Sequence, residues 1–222
     1  RLNPLFVAAE SLKGVGTALA RPLDRLGLSR VRDFVYHLPE RFVLRRAVAD
    51  LDAASVGENI VVALTPVEYR SSAGRGPFRV LASDAAGNIC AITYFGRNTG
   101  WAKKQLPLGE VRWIAGRLDQ FGQMLQIVHP DHVAEQSSGM LGQLCEPVYA
   151  LSEGLTQGRL AALIEQALAT VPDLPEWIEP SLLDKMPWPP WRDALLLAHK
   201  GEHKAARDRL AYDELLANSL AL

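Results

Sequence analysis

Aromatic and cationic side chains lie close together between residues 95 and 104, and this combination suits nucleic-acid binding. Phe95 and Trp101 carry flat rings on which a base could stack. Arg97, Lys103 and Lys104 carry positive charges that could hold the phosphates of the same strand. The pattern leaves one alternative open, in which both rings pack in the core and are closed to a ligand.

The segment Ile89–Phe95 is predicted to form the strand that positions this cluster, because its residues are mostly apolar or β-branched. Successive side chains of a strand point to opposite faces, so Cys90, Ile92 and Tyr94 share one face. Those three residues are better suited to the core than Ala91, Thr93 and Phe95 on the opposite face. Phe95 is therefore the candidate for an exposed aromatic at the end of the strand.

The surrounding pattern predicts an α+β fold built on a five-stranded barrel. A short helix at Trp101–Leu106 ends at Pro107, since the residue before a proline disfavours helix. The predicted strands are Glu58–Arg70, Phe78–Ser83, Ile89–Phe95, Val111–Leu118 and Met124–Val128. Five strands with a helix between the third and the fourth indicate an OB-fold, a barrel that typically binds single-stranded nucleic acid or oligosaccharide.

A glycine turn precedes the first helix of an amino-terminal helical hairpin. Its residues Lys13, Gly14, Val15 and Gly16 resemble the turn of a helix-hairpin-helix motif, whose backbone N–H groups bind a DNA phosphate. Pro22 follows early in the helix and removes one backbone donor. The other interpretation is a plain helical hairpin that packs on its neighbour.

Histidine and cysteine do not indicate a metal site. His129 and His132 have a spacing that suits two ligands on a helix, but Pro130 between them disfavours a helix. We interpret both as residues at the exit of a strand. Cys90 and Cys145 are widely separated, so neither a disulfide framework nor a zinc site is predicted.

Composition is that of a soluble globular protein, with 48% hydrophobic and 22% charged residues among 222. No apolar run approaches the ~20 residues that span a bilayer, and the amino terminus lacks the layout of a signal peptide. We therefore expect a cytoplasmic protein with no membrane contact. The net charge of −1 argues against a wholly basic nucleic-acid binder, but residues 1–50 carry nine Lys and Arg against five Asp and Glu.

The chain divides into three predicted parts. Residues 1–52 form the helical region, residues 53–135 the barrel, and residues 136–222 a helical, proline-rich connector. Ser29 is predicted to cap the second helix and Thr156 the first helix of the connector. The last predicted helix stops within an apolar pattern at Leu222, so we expect the natural protein to continue.

Several short motifs occur in a fixed order along nearly the whole chain and resemble the amino-terminal end of RecG-type ATP-dependent DNA helicases. They are Leu12–Gly16, His37–Pro39, Tyr94–Phe95, Lys103–Leu106, Val128–Pro130, Pro147–Tyr149, Glu153–Gln157 and Arg209–Leu216. In that family this region is the wedge domain, an OB-fold that sits at a branched DNA junction and splits its arms.

The resemblance implies a function in recombination and DNA repair on replication forks and Holliday junctions, as a monomer joined to a carboxy-terminal motor. Phe95 and Trp101 would correspond to the aromatics that stack on unpaired bases at the branch point, although a small insertion separates them relative to the family pattern. The segment has no phosphate-binding loop and no acidic metal box. We therefore expect no catalytic residue or cofactor here, with ATP and Mg bound by the missing motor.

Two other classes of function are compatible with the same residues. One is a stand-alone OB protein that binds single strands, with no enzyme attached. The other is a protein-interaction module that uses exposed tryptophans and prolines, which predicts no affinity for branched DNA.

Overall fold

The computed structural model describes residues 3–71, 76–96, 99–138, 144–201 and 203–221. Within these ranges the α-helices are α1 (Thr17–Arg25), α2 (Val31–Val35), α3 (Thr99–Gln105), α4 (Gln157–Ala169), α5 (Pro180–Leu183), α6 (Trp191–Ala198) and α7 (Lys204–Leu220). The strands are β1 (Arg41–Leu44), β2 (Arg46–Ala47), β3 (Asn59–Ser71), β4 (Phe78–Ser83), β5 (Ile89–Tyr94), β6 (Arg112–Phe121), β7 (Met124–Val128), β8 (His132–Glu135) and β9 (Cys145–Val148). Short 3₁₀ turns occur at Asn3–Phe6, Ala9–Ser11 and Gln136–Ser138.

Five strands close into a barrel in the order β3, β4, β5, β7 and β6. The long strand β3 completes the circle because it pairs with β4 through its second half and with β6 through its first half. A β-bulge between Pro66 and Glu68 separates the two halves, and a bulge bends a strand in this way. Helix α3 connects β5 to β6. The predicted OB-fold and the α+β class are confirmed.

The barrel core follows the predicted alternation. Cys90, Ile92 and Tyr94 of β5 are buried in one cluster with apolar residues from the other barrel strands. Leu106, directly after α3, is fully buried in the same cluster, as is Ala102 within the helix. Burial of these two side chains, four residues apart, anchors one side of α3 and leaves the rest of the helix outward.

Short strands extend the barrel beyond the prediction. Strand β8 pairs with β6, and strand β2 pairs with β3. His132 is the first residue of β8, so our interpretation of it as a strand-exit residue is wrong. Strands of two to four residues are too short to show a clear alternation, which explains why the pattern missed them.

The helices of the two chain ends form a second unit, which comprises Arg1–Phe42 and Glu146–Leu222, whereas the barrel unit comprises Val43–Cys145. Apolar residues of α1, α2, α4, α6 and α7 share one hydrophobic core in the helical unit. The predicted divisions after residues 52 and 135 stay predictions. In the structure the chain passes from one unit to the other after Phe42 and after Cys145.

The helix caps were predicted with mixed success. Thr156 caps α4 as expected, because its Oγ1 accepts the N–H of Arg159 at 3.4 Å. Ser29 does not cap α2, which has Arg30 at the N-cap position. Instead the carboxylate of Asp33 accepts hydrogen bonds from the N–H groups of Ser29 and Arg30, so the cap comes from within the helix.

Among the described residues no helix is long and apolar enough to cross a membrane.

Candidate nucleic-acid interface

Phe95 follows directly after β5 and is 60% exposed. Its backbone N–H donates a hydrogen bond to Nε2 of His129 at 3.1 Å. This bond holds the backbone at the point where the strand ends, while the ring stays open to solvent. The alternative in which the Phe95 ring packs in the core is excluded by its exposure.

Trp101 lies in α3 and is 51% exposed, so its ring is also accessible. A row of aromatic rings connects it to Phe95. Trp101 meets Tyr94 edge-on with centroids 5.9 Å apart, and Tyr94 meets His129 in the same way at 5.8 Å. The rings of His129 and Phe95 lie 5.9 Å apart. The two predicted stacking residues are therefore the ends of one packed row and belong to one surface.

Tyr94 supports this row from the inside of the barrel. Its side chain is buried, and burial raises the pKa of its hydroxyl to about 12. Among the described residues, no hydrogen-bond partner faces that hydroxyl. The ring therefore contributes packing, while the hydroxyl is a polar group that the barrel leaves unsatisfied.

His129 is a site residue that sequence reasoning missed. Its backbone N–H donates to the carbonyl of Thr93 at 2.9 Å, and its ring contacts both Tyr94 and Phe95. The residue has a φ of 45°, which is uncommon for a side chain other than glycine. Strained backbone of this kind persists where the surrounding structure demands it, often at binding sites. The only sequence signal was a histidine before a proline at the end of a predicted strand.

Among the described residues no group of three or more His, Cys, Asp or Glu is placed to hold a metal ion. The Nε2 of His129 accepts a hydrogen bond from Phe95, so the observed geometry uses this nitrogen for positioning rather than for a ligand.

Lys103 and Lys104 are exposed on α3 beside Trp101. The Nζ of Lys103 lies 5.2 Å from the ring centroid of Tyr69, whose hydroxyl donates to the carbonyl of Leu106 at 2.8 Å. In the described part of the chain no carboxylate forms an ion pair with either lysine. Both charges are available for phosphate. Arg97, predicted to join them, lies outside the described residues.

The glycine turn at residues 13–16 belongs to the helical unit. Gly14 has a φ of 98°, a conformation that favours glycine. The N–H of Lys13 donates to the side chain of Gln166 at 2.8 Å, and the N–H of Val15 donates to the carbonyl of Leu12 at 3.2 Å. Two of the predicted phosphate donors are therefore used within the protein. Gly14 and Gly16 remain as candidate donors, with Gly16 at the N-cap of α1.

Comparison with models of protein families matches residues 10–171 to the RecG wedge domain. This range covers most of the chain and includes the whole barrel. The chain belongs to the RecG wedge domain family.

Relatives of the RecG wedge region extend the match to nearly the whole chain. The chain is 31% identical to an ATP-dependent DNA helicase RecG of Acidithiobacillus ferridurans, over 97% of this chain and 32% of that protein. It is 28% identical to the protein of the same name from Escherichia coli strain K12, over 97% of this chain and 33% of that protein. The chain thus spans about a third of the length of the curated relatives it matches.

A solved structure of RecG bound to a three-way DNA junction has the same fold as this wedge region. The TM-score is 0.80 with 22% sequence identity, and the match covers 98% of this chain and 31% of that chain. At this identity the likeness establishes the fold. The roles of single residues in the wedge depend on the geometry described above.

Proposed function

We propose that this chain binds branched DNA and holds the branch point on the surface formed by Phe95, Trp101, Lys103 and Lys104. The observation that carries the proposal is the exposure of Phe95 and Trp101 at the two ends of one supported row of rings. Stacking on an aromatic binds an unpaired base regardless of its sequence, and unpaired bases occur where the arms of a junction separate.

The lysines supply the second half of the interaction. Phosphate contacts position a nucleic acid and make its affinity salt-dependent, but carry no information about branching. Lys103 and Lys104 would hold the backbone of the strand whose bases stack on the rings. Arg97 is included on sequence grounds, and the turn at Lys13–Gly16 is proposed as a further phosphate contact through Lys13 and the N–H groups of the two glycines.

The wider function follows from the family. The matched relatives are named ATP-dependent DNA helicases, and the chain spans about a third of their length. We infer that this wedge splits the arms of replication forks and Holliday junctions while a carboxy-terminal motor, with ATP and Mg, pulls on the duplex. The expected setting is recombination and repair of DNA in the cytoplasm of a bacterial cell, with the protein acting as a monomer.

Stacking and charge can be separated by substitution. Phe95→Ala should weaken binding to a three-way junction by about 5- to 150-fold, which corresponds to the ~1–3 kcal/mol of one stacked base, and should leave the salt dependence nearly unchanged. Trp101→Ala should act in the same direction. Lys103→Ala combined with Lys104→Ala should instead lower the slope of log affinity against log salt, by up to about one unit per lost contact.

Matched controls come from the helical unit. Phe6 is also exposed and has the guanidinium of Arg32 5.1 Å from its ring centroid, so Phe6→Ala removes a similar aromatic side chain that belongs to the helical unit. Lys185→Ala with Lys200→Ala removes two exposed charges in the same way. Neither control should change junction affinity by more than about twofold.

The comparison of substrates decides between the functions. The proposal requires tighter binding of a junction than of a duplex of equal length at the same salt concentration. Equal affinity for both would indicate a general electrostatic surface and contradict it. Tight binding of single strands without a preference for junctions would favour the stand-alone OB protein, and no DNA affinity would favour the protein-interaction module.

A further inference from the structure

The backbone of Phe95 lies beyond the last paired residue of β5 on both sides. Pairing of β5 with β4 ends at Tyr94, and pairing of β5 with β7 ends at Thr93. Gly96, the next residue, forms a bend. The hydrogen bond from the Phe95 N–H to Nε2 of His129 therefore fixes the backbone at a position where the sheet no longer does.

The turn between β7 and β8 carries His129 and is held on two further sides. The buried side chain of Arg45 donates a hydrogen bond from Nη2 to Oδ2 of Asp131 at 2.8 Å. A β-carbon at Gly116 of β6 would lie 3.4 Å from Cα of Pro130, so a residue with a side chain there would press against the turn. These contacts keep His129 in place although its φ is positive.

The bond to Phe95 also fixes the protonation state of the His129 ring. A backbone N–H can only donate, so Nε2 must carry a lone pair and the proton of the neutral ring must be on Nδ1. A second proton would occupy Nε2 and set two N–H groups against each other, which removes the bond. His129 is itself exposed, so its ring exchanges protons with solvent.

The titratable groups around this ring keep their charge states near neutral pH. Tyr94 of β5 packs edge-on against the imidazole, and burial raises the pKa of its hydroxyl to about 12, so it stays neutral. Asp131 of the turn is paired with Arg45. His132 begins β8, where it pairs with a residue of β6, and Lys103 of α3 lies over a different ring. The proton on the imidazole is therefore the charge change that acts directly on the bond to Phe95.

We propose that His129 is a positioning residue of the branch-point surface, whose neutral imidazole holds Phe95 ready for stacking and whose protonation releases it. The inference deepens the proposed function and rests on it, because the stacking ring is Phe95. A ring that is held in place before DNA arrives does not have to be ordered on binding, and this increases affinity. Junction binding should therefore weaken on acidification, although His129 acts through Phe95 and not through the DNA.

Two substitutions at His129 separate its ring from its backbone. His129→Gly keeps the turn, since glycine readily adopts a positive φ, but removes the ring. It should weaken binding of a three-way junction by about fivefold or more, up to the loss measured for Phe95→Ala. His129→Gln restores a neutral acceptor and should recover most of the affinity. Both variants should melt close to the parent, because the residue is exposed.

A double substitution tests whether His129 acts through Phe95. Phe95→Ala combined with His129→Gly should bind no more weakly than Phe95→Ala alone, because the ring that His129 positions is already absent. A junction that carries a fluorescent base analogue at the branch point reports stacking directly, since the analogue dims when it stacks. At saturating protein the parent and His129→Gln should dim it, and His129→Gly should leave it brighter.

A pH series gives the second measurement. At a fixed salt concentration the junction affinity of the parent should fall between about pH 8 and about pH 5.5, where histidines take up a proton. The fall should approach the loss caused by His129→Gly. The affinity of His129→Gln should change by less than about twofold over the same range. His199 is present in both proteins, so its titration affects them equally.

The outcomes separate this inference from the proposed function. The inference is wrong if His129→Gly binds junctions as the parent does, or if His129→Gln follows the pH profile of the parent. Losses that add up in the double variant would mean that His129 contacts the DNA itself, which also contradicts a positioning role. If His129→Gly does not fold, the pH profiles of the parent and His129→Gln decide.

A measurement without DNA keeps the two proposals apart. If the parent shows no preference for junctions, the proposed function fails, but the bond between Phe95 and His129 can still be tested by NMR. The amide resonance of Phe95 should shift with pH in the parent and stay constant in His129→Gln. An amide of Phe95 that does not respond to pH in the parent would overturn the positioning role by itself.

Discussion

Arginine and aromatic residues are used in opposite ways by the barrel surface and by the interior of the helical unit. On the barrel, Phe95 and Phe121 are exposed and Arg79 is partly exposed, and no carboxylate of the described residues forms an ion pair with Arg79. In the helical unit, the side chain of Arg209 is 0% exposed. It donates to both oxygens of Glu176 and to Asp213, and its guanidinium lies 5.1 Å from the ring centroid of Trp177.

Most hydrogen-bonding groups in the cluster around Arg209 are paired with one another. Trp177 Nε1–H donates to the second oxygen of Asp213 at 2.9 Å, and Glu176 also accepts the N–H groups of Trp177 and Ile178. Hydrogen bonds from Arg209 hold the pKa of Glu176 at about 2. A buried charge is tolerated when its hydrogen bonds are satisfied, whereas a charge left unpaired at the surface can bind something else. The same residue types thus stabilise one region and are free for a ligand in the other.

The largest expected effect is the loss of the buried cluster. Arg209→Ala leaves the carboxylates of Glu176 and Asp213 without their cation and should lower the free energy of unfolding by about 3 kcal/mol. We expect a loss at the lower end of the range for a buried ion pair, because the Glu176 side chain is 32% exposed. Urea denaturation gives the change directly, and junction affinity of the folded variant should be unchanged.

Lys204→Ala is the matched control for this prediction. Lys204 pairs with Asp208 in the same helix, but its side chain is 87% exposed, so its removal should change stability little. Equal stability of Arg209→Ala and Lys204→Ala would show that the buried cluster does not stabilise the fold.

A second effect concerns pH. His199 donates from Nε2 to the carbonyl of Val35 at 2.8 Å, and its Nδ1 lies 3.1 Å from the hydroxyl of Tyr149. Burial lowers the pKa of His199 from the ordinary value of 6.5, so the unfolded chain takes up a proton before the folded chain does. Its contribution to stability is therefore constant above pH 6.5 and falls as the pH drops below it, by at most ~1.4 kcal/mol per pH unit.

Urea titrations of the parent and of His199→Gln at several pH values between about 5 and 8 test this prediction. The variant should be less stable throughout and should lose less stability on acidification. Identical pH profiles for the two proteins would mean that His199 is not the group responsible, and that buried polar groups of the helical unit are less tightly coupled to folding than we infer.

The smallest expected effect concerns two buried tyrosine hydroxyls. Tyr149→Phe removes a hydroxyl that bonds with His199 and should reduce stability by about 1 kcal/mol. Tyr94→Phe removes a hydroxyl that has no partner among the described residues and should leave stability unchanged or raise it by up to about 1 kcal/mol. Thermal melts of the two variants compare the regions directly. A marked loss of stability in Tyr94→Phe would show that the barrel satisfies this hydroxyl after all.

Several features were predictable because they depend on local pattern. Strands β4 and β7 have the predicted bounds, and α3 and β6 differ by a few residues at their ends. The alternation of Cys90, Ile92 and Tyr94 correctly placed Phe95 on the other face of β5. Side-chain periodicity and turn residues act over a few positions, so the sequence shows them directly.

Other features depend on residues that are far apart in the chain. Periodicity left the exposure of Phe95 and Trp101 undecided, because exposure depends on what else covers the strand end. The side chain of Gln166 accepts a hydrogen bond from the N–H of Lys13, although the two residues are 153 positions apart in the sequence. The sequence of the glycine turn gave no reason to expect this bond. His129 lies beside Phe95 because β5 and β7 pair in parallel.

By itself the sequence determined the barrel, its connecting helix and the family, since these are written in periodicity and in short motifs in fixed order. Tertiary structure decided which charges remain available for a ligand. Arg79 and Arg209 look alike in the sequence, and only the packing of distant segments leaves the first at the surface and encloses the second among carboxylates. Burial and pairing are properties of the assembled chain, because they are set by neighbours that local sequence does not specify.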